Sequence, residues 1–500
     1  MRKHAWWISF LVIFSLILFS ACESKLSKQL KEEKIAKVYC SSCHEFPEAG
    51  LLPKNIWLEN VLPEMGLRLG IGDKNTVLTK MSLKLFDQLN NLGVYPNNNM
   101  ISDEDWKSIL HYYETNAPLK LPEIRNEPVT NDIGHFQKEL FFADSGQSAQ
   151  TTMVKFEPTQ NEIWLANANK ELKKYSYNGK IKNIIRTPSP VVDVITQDET
   201  LYLSIGNMKP NEDYNGRIFD MNDQGTKGKL YVDSLHRPVQ MVKADINADS
   251  IMDLIILEFG YITGQVKWVD GKSGVVHVIS KHPGARNIHI SDVDKDGYPD
   301  LLILFTQAKE EVTLFHNIHS ERFEEKAILR FPSVYGSSYM DIADINGDGY
   351  DDLIISFGDN ADYSIINKYY HGVGIYLNDR KNNYTKAWFY PSYGATKTIA
   401  ADFDNDGDLD MAMIGFFSNK ENGNSFLYFE QKKNMNFTVS NLNVDKSQWL
   451  VMDVNDMDKD GDQDIILGNF RMSDDEKHTG KRDIEMLLLR NMLKKNGKTH

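Results

Sequence analysis

Cysteine is nearly missing: the 500 residues hold three, Cys22, Cys40 and Cys43. An odd number excludes a disulfide framework that uses them all, so each needs its own account. Basic charge is also short, with 56 Lys and Arg against 70 Asp and Glu and a formal net charge of −14. Such a balance offers no basic face to a phosphate backbone and excludes nucleic acid as the partner. Beyond residue 20 no apolar run is long enough to cross a bilayer as a helix. A nucleophile elbow, an H-E-x-x-H helix and a phosphate loop are all absent, so the sequence names no catalytic residue. What is present is ordinary globular composition, 41% hydrophobic and 25% charged. At roughly 150 residues per domain the length allows two to four domains.

The N-terminus reads as an address. Arg2 and Lys3 precede an apolar run from Ala5 to Phe19, and the small residues Ser20 and Ala21 come just before Cys22. The run is shorter than the ~20 residues of a membrane span and fits a signal peptide over 1–21. A cysteine directly after small residues resembles the bacterial lipoprotein signal, although Phe19 stands where that pattern usually has Leu. The resemblance implies lipidation of Cys22 and export to a bacterial membrane, facing periplasm or cell surface. A plain signal peptide or an uncleaved anchor is the alternative, and either one also exports the chain. Residues 22–37 are polar and suit a tether that leads into a helix.

Cys40-Ser41-Ser42-Cys43-His44 follows. C-x-x-C-H is the signature of covalent haem attachment. On one helical turn two thiols meet the two vinyl groups of one haem, and the next imidazole points at the iron. A redox dithiol or half of a zinc site uses C-x-x-C as well, but no second C-x-x-C exists here and no βαβ pattern surrounds it. A small helical domain is expected over 30–118. Pro47 and Pro53 lie in a loop that could offer a carbonyl to His44 Nδ1. Ser102 is an expected N-cap, with Asp105 three residues on and Trp106, Ile109, Leu110 and Tyr113 at helical spacing before Pro118. This last segment looks like the C-terminal helix of class I cytochromes c. The resemblance implies an all-α cytochrome domain with one covalent haem c and a redox partner protein in the cell envelope. Met65, in Leu-Pro-Glu-Met-Gly, and Met100, just before the last helix, are the candidates for sixth iron ligand, with Met81, His111 or an open position as alternatives.

After a linker over 119–134 the chain repeats itself. Five segments share D-x-[DN]-x-D-G-x-x-D: Asp245, Asn247, Asp249 and Asp253; Asp292, Asp294, Asp296 and Asp300; Asp344, Asn346, Asp348 and Asp352; Asp402, Asp404, Asp406 and Asp410; Asp456, Asp458, Asp460 and Asp464. Oxygen ligands at positions 1, 3, 5 and 9, with a carbonyl at 7, wrap a hard cation, and Gly at 6 permits the sharp turn. Ser250 replaces that glycine in the first copy. The start resembles an EF-hand loop, yet the continuations (LIILEF, LLILF, LIISFG, MAMIGFF, IILGNF) read as buried strands. The loops look like the FG-GAP/VCBS repeats of integrin-α-like β-propellers. That resemblance implies up to five Ca²⁺ and a propeller fold. Eighteen carboxylates occupy the ligand positions and repel one another without a cation, so stability is expected to depend on calcium.

The copies recur every 47 to 58 residues, and this period divides the region 135–492 into seven blades, the first two without the acidic loop. Leu140 to Ala143 is expected to close the ring against Met486 to Leu489; residues 493–500 are a tail. The expected architecture is thus a small all-α domain followed by an all-β seven-bladed propeller. Residues just ahead of each blade's first strand should crowd one channel mouth: His236, Arg237, Arg286, Asn287, Tyr335, Tyr393, Lys397 and Trp449. Their guanidinium groups and aromatics would suit a glycan or a small anionic ligand. Three readings follow. The first is an electron carrier whose propeller docks a partner. The second is a haem-coupled dehydrogenase for a sugar or alcohol, and the third a calcium-dependent adhesion or glycan-binding module.

Overall fold

The computed structural model describes residues 27–75, 81–124, 129–130, 133–144, 147–197, 199–221, 227–319, 322–360, 366–417, 424–442, 448–472 and 482–493. The leader expected over 1–21 and the lipidation site at Cys22 lie outside the described residues. The chain divides into two compact units, 1–121 and 122–500.

The first unit is helical. Helix α1 spans 27–40, so most of the expected tether is already helix, held by an i,i+4 pair between Glu33 and Lys37 at 2.6 Å. Helix α2 is built from Lys54–Ile56, a π turn Trp57–Val61 and Leu62–Arg68. Pro63 has no N–H to give to the preceding turn, and the helix widens into π geometry just before it. Helix α3 is Leu83–Asn91, capped by Ser82, whose hydroxyl accepts from Leu85 N–H at 3.2 Å. Helix α4 is Asp103–Asn116, and Ser102 caps it by accepting from Asp105 N–H at 3.1 Å. The core forms where α2 meets α4. Trp57 lies 4.3 Å from the ring of Tyr113 and its indole N–H donates to Ala49 O at 2.9 Å. A Cβ at Gly66 would come within 2.8 Å of the Trp106 ring, so only glycine admits this approach. Helices α1 and α4 touch at two points: His111 Nδ1 is 2.8 Å from Glu32, and the Tyr39 hydroxyl donates to Asp105 at 3.2 Å.

The second unit is seven four-stranded antiparallel sheets. Blades 1 to 6 each use four consecutive strands, over 151–186, 191–235, 238–280, 285–331, 337–391 and 395–441. Blade 7 takes its three inner strands from 449–491 and its outer strand, Phe136–Phe142, from before blade 1. The closing register pairs Leu140 with Leu487 and Phe141 with Met486. The first strand of every blade is innermost, and neighbouring inner strands ring a channel. The second strands, such as Asp253–Glu258 and Asp410–Gly415, are buried along their whole length. Neighbouring blades cover both of their faces, which is why they read as unbroken apolar runs rather than alternating ones. A seam between blades 6 and 7 packs Ala412, Ile414 and Tyr428 against Trp449, Ile465 and Leu487.

Of the expected linker, the described residues 129–130 and 133–134 are tied to the propeller. Thr130 makes a parallel bridge to Ser440 on the outer strand of blade 6, and Ile133 and Phe136 join the buried seam. An extended segment with unpaired backbone groups beside a sheet edge satisfies them by pairing there.

Candidate metal loops, haem motif and channel

Each acidic segment is the turn between the first and second strands of blades 3 to 7. One hydrogen-bond scheme recurs. In the blade 4 loop, Asp292 accepts from the N–H groups of Asp296 (3.1 Å) and Gly297 (3.0 Å), Asp294 from Asp296 (3.2 Å), and Asp296 from Tyr298 (2.9 Å). The carboxylates at positions 1, 3 and 5 are thereby turned toward one centre. Their oxygens lie within 4.8 Å of one another for Asp292, Asp294 and Asp296, for Asp402, Asp404 and Asp406, and for Asp456, Asp458 and Asp460. In blades 3 and 5 the middle ligand is an amide, Asn247 or Asn346, whose oxygen also accepts from the position-5 N–H. Two residues per loop adopt left-handed backbone, at position 4 (Ala248, Lys295, Gly347, Asn405, Lys459) and at position 6 (Ser250, Gly297, Gly349, Gly407, Gly461).

The position-9 aspartates play a different part. Asp253, Asp300, Asp352, Asp410 and Asp464 are at most 1% exposed. Each accepts an N–H from the end of the third strand, given by Gly271, Asn317, Asn378, Gln431 and Asn491 at 2.7–2.8 Å. They therefore staple the loop to its sheet. Burial pushes Asp410 and Asp464 up to about 7 and Asp352 up to about 6. Burial and the adjacent Asp406 raise Asp404 to about 6. Asp402 Oδ1 is buried without a hydrogen-bond partner, an orphan that a cation in the loop would satisfy.

The C-x-x-C-H segment lies where α1 ends, with Cys40 on its last turn and Ser41 to Cys43 in the turn that follows. Both thiols are free. Cys40 faces Tyr113, and burial raises its thiol to about 11, which is the wrong direction for a redox dithiol. His44 Nδ1 is 2.9 Å from the carbonyl of Glu45, so this nitrogen is the donor in the contact. The carbonyl comes from the next residue and not from the proline loop, where Pro47 O accepts from the Tyr113 hydroxyl at 2.9 Å. Met65 is half-buried on α2. Met100 is 65% exposed, and its N–H donates to Leu69 O at 2.8 Å. His111 is committed to Glu32.

The residues expected at the channel mouth do not share one environment. His236 is buried, with Nε2 2.9 Å from Asn211 O and Nδ1 3.2 Å from the Thr263 hydroxyl. Tyr393 is buried and its hydroxyl accepts from Ile124 N–H at 3.1 Å. Trp449 belongs to the seam between blades 6 and 7. Tyr335 stacks on Tyr370 at 4.7 Å. These four serve packing. Arg237 and Arg286 both stand over the Phe259 ring, at 5.5 and 6.0 Å. Burial, then the neighbouring Arg286, lowers Arg237 to about 10, but its guanidinium already donates to the carbonyls of Gly260 and Met208.

Lys397 lies inside the channel, 4.5 Å from the Tyr339 ring. There it meets a feature the sequence did not announce. Five of the seven inner strands send a polar side chain to the backbone of the next: Asp193 accepts from Met241 N–H (2.9 Å), Gln240 from Ile288 (3.0 Å) and Asn287 from Met340 (3.1 Å). Likewise Asp341 accepts from Ala400 (2.7 Å) and Asp453 from Phe156 (2.8 Å). The only local sign is a polar residue in the alternation of each first strand.

Residues 292–355, from the blade 4 loop into the second strand of blade 5, match the FG-GAP-like repeat family. The chain carries an FG-GAP-like repeat. The loops of blades 3, 6 and 7, outside the matched residues, keep the same spacing, and in each the position-1 aspartate accepts an N–H from position 5 or 6. No curated protein matches the chain. The Neurospora crassa Pan2 WD40 domain superposes at TM-score 0.43 and 9% identity, over 72% of this chain and 97% of that one. BBS1N, from its complex with ARL6DN, superposes at TM-score 0.44 and 9% identity, over 71% and 96%. Neither likeness is close enough to carry an argument.

Proposed function

We propose that the protein is a cell-envelope c-type cytochrome that carries electrons through one covalent haem, with its FG-GAP-like propeller as a calcium-loaded docking module. The observation that carries this reading is Cys40-Ser41-Ser42-Cys43-His44 at the end of α1, with His44 Nδ1 committed to a carbonyl and Nε2 left for iron. Cys40 and Cys43 would form the thioethers, and a thioether from Met65 or Met100 would complete the iron and raise its potential. Bound haem supplies one-electron transfer. His44 would supply an imidazole to the iron, and Tyr113, packed against Trp57, lies beside Cys40. In the propeller, crowded carboxylates whose charged forms are disfavoured by burial are what a Ca²⁺ in each loop would relieve. Cys22 would carry the lipid that holds the protein to a bacterial membrane.

A pyridine haemochrome spectrum of the purified full-length protein tests the reading. One c-type haem per chain is expected, and none in a Cys40→Ala/Cys43→Ala variant. Absence of covalent haem from the parent overturns it. Haem reduction by a redox partner and not by added sugars or alcohols separates the carrier from a haem-coupled dehydrogenase. Met65→Leu and Met100→Leu identify the axial ligand, because only the true ligand lowers the midpoint potential on replacement.

A further inference from the structure

The inner strands share one irregularity. Near its start, at the end of the channel away from the acidic loops, each bulges by one residue against the second strand. In six blades the bulged residue is Thr, Ser, Val or Leu, whereas in blade 4 it is Arg286. Thr152 and Ser338 show what a polar residue does there. Their hydroxyls donate to carbonyls of the next blade, Val191 at 2.7 Å and Ala395 at 2.9 Å. Arg286 makes the same link with Nε, which donates to Ser338 O at 3.2 Å. Its planar fork is surplus to that link: among the described residues neither Nη1 nor Nη2 has an acceptor.

Arg237 breaks a second pattern at the same end. The residue ahead of the first strand is Gly284, Gly336 and Gly394 in blades 4 to 6, at φ +83°, +68° and +71°, but in blade 3 it is Arg237, at φ +43°. A side chain in left-handed backbone is strained, and such strain gathers at ligand sites. The terminal nitrogens of Arg237 donate to Gly260 O and Met208 O, while its Nε is buried without a partner. Both guanidinium groups stand over the Phe259 ring. Burial, and then the charge of Arg286, lower Arg237. Among the described residues no carboxylate forms an ion pair with either arginine. Glu212 is turned to the Ile262 N–H (2.7 Å) and the Thr263 hydroxyl (2.6 Å), and Asp359 attracts Arg286 from beyond ion-pair distance. Two desolvated cations held side by side cost free energy that a bound anion recovers.

We infer that this end of the channel binds the carboxylate of a small organic acid, gripped by Nη1 and Nη2 of Arg286, with Arg237 adding charge and Phe259 forming the wall. Two parallel N–H donors in one plane match the two oxygens of a carboxylate. Glu212 and Asp359 leave little net positive charge nearby, which favours a monoanion over a phosphate dianion. The site goes beyond the electron-carrier reading, because it needs neither haem nor calcium. The competing account is structural: the two arginines only tie neighbouring loops together.

Isothermal titration of D-galacturonate into the full-length protein, with D-galactose and inorganic phosphate as parallel arms, decides between them. Galacturonate differs from galactose by a carboxylate in place of a hydroxymethyl group. One galacturonate per chain is expected to bind, with galactose and phosphate each weaker by about ten-fold or more. Arg286→Ser keeps a hydroxyl of the kind blade 5 uses at its bulge and should weaken galacturonate by about ten-fold or more. Arg286→Lys keeps the charge without the fork and should weaken it by a smaller factor. Arg237→Gly, which adopts the residue of blades 4 to 6, should weaken it several-fold. Circular dichroism should show these variants folded, and if Arg286→Ser unfolds, Arg286→Lys carries the test. Galacturonate binding that is absent, matched by galactose or phosphate, or unchanged in the folded variants of both arginines overturns the inference. If the parent holds no covalent haem yet binds galacturonate through Arg286, the electron-carrier reading falls and this site stands.

Discussion

Ser250 shows what one residue can cost a loop. It adopts φ +67°, where the equivalent Gly297, Gly349, Gly407 and Gly461 lie between +86° and +95°. A side chain in left-handed backbone is penalised by about 1 kcal/mol relative to glycine. Ser250→Gly is therefore expected to raise stability by about 1 kcal/mol in urea unfolding and to tighten cation binding in blade 3. The glycine at position 6 was visible in the sequence. The matching left-handed residue at position 4 was not, because Ala248 and Lys459 carry no propensity for it.

In the channel, Asp341 makes a similar point about charge. Burial raises it from its ordinary 3.8 to about 6, against the N–H of Ala400 and the pull of Lys397. Lys155, Asp193, Asp453 and Tyr339 complete the charged and titratable lining around it. A folded value above the unfolded one means that folding favours the protonated form. The contribution of Asp341 to stability is full below about 4, falls as pH climbs to about 6, and stays lost above that. Asp341→Asn keeps an acceptor for Ala400 and removes the charge. It should be more stable than the parent by about 1–2 kcal/mol at pH 7.5 and show a flatter melting profile between pH 4 and 6. A uniform loss at every pH would mean that attraction to Lys397 outweighs burial.

At the scale of the element, the blades are joined through their third strands. Asn317 Nδ2 donates to Ile246 O in the loop of blade 3 (2.9 Å), Gln431 Nε2 to Ile345 O in that of blade 5 (3.4 Å), and Asn491 Nδ2 to Phe403 O in that of blade 6 (2.7 Å). A loop is thus held by its own aspartate and by its neighbour's amide. Asn491 is fully buried. Asn491→Ala should cost about 2–3 kcal/mol in denaturant unfolding, because it leaves the Phe403 carbonyl unpaired in the interior. The acidic loops and apolar second strands were legible in the sequence because both signals are local. These amides were not, since each partner lies more than 70 residues away. In the helical unit the capping by Ser102 was readable for the same local reason, whereas α3 has weak apolar content and was not anticipated.

For the whole molecule, no disulfide is available to the propeller, since its 122–500 unit holds no cysteine. Stability must come from interblade packing and from whatever neutralises the loops. Chelation by EDTA is expected to lower the melting temperature by on the order of 10 °C, restored by added Ca²⁺. An unchanged melting temperature would show that the loops are self-sufficient. The seven-blade count was legible because the spacing of the acidic loops gave the period and the total length did the rest. The burial of His236, Tyr393 and Trp449 was not legible, because nothing in their local sequence separates a core ring from an exposed one.

The seam of blade 7 bears on how the ring comes into being. Glu139 and Arg490, which bond across it at 2.6 Å, are 351 positions apart, and Lys173 and Glu485 pair in the interior over 312. A chain synthesised from its N-terminus can assemble blades 1 to 6 as they appear, but Phe136–Phe142 waits as a bare strand until Ile484–Asn491 arrives. Throughout that interval an unpaired edge is open to any other extended chain. Cation uptake by the acidic loops would shorten the wait by folding each blade as soon as its loop is complete. A cation in the loops would then act on the yield of assembled rings as well as on their endurance.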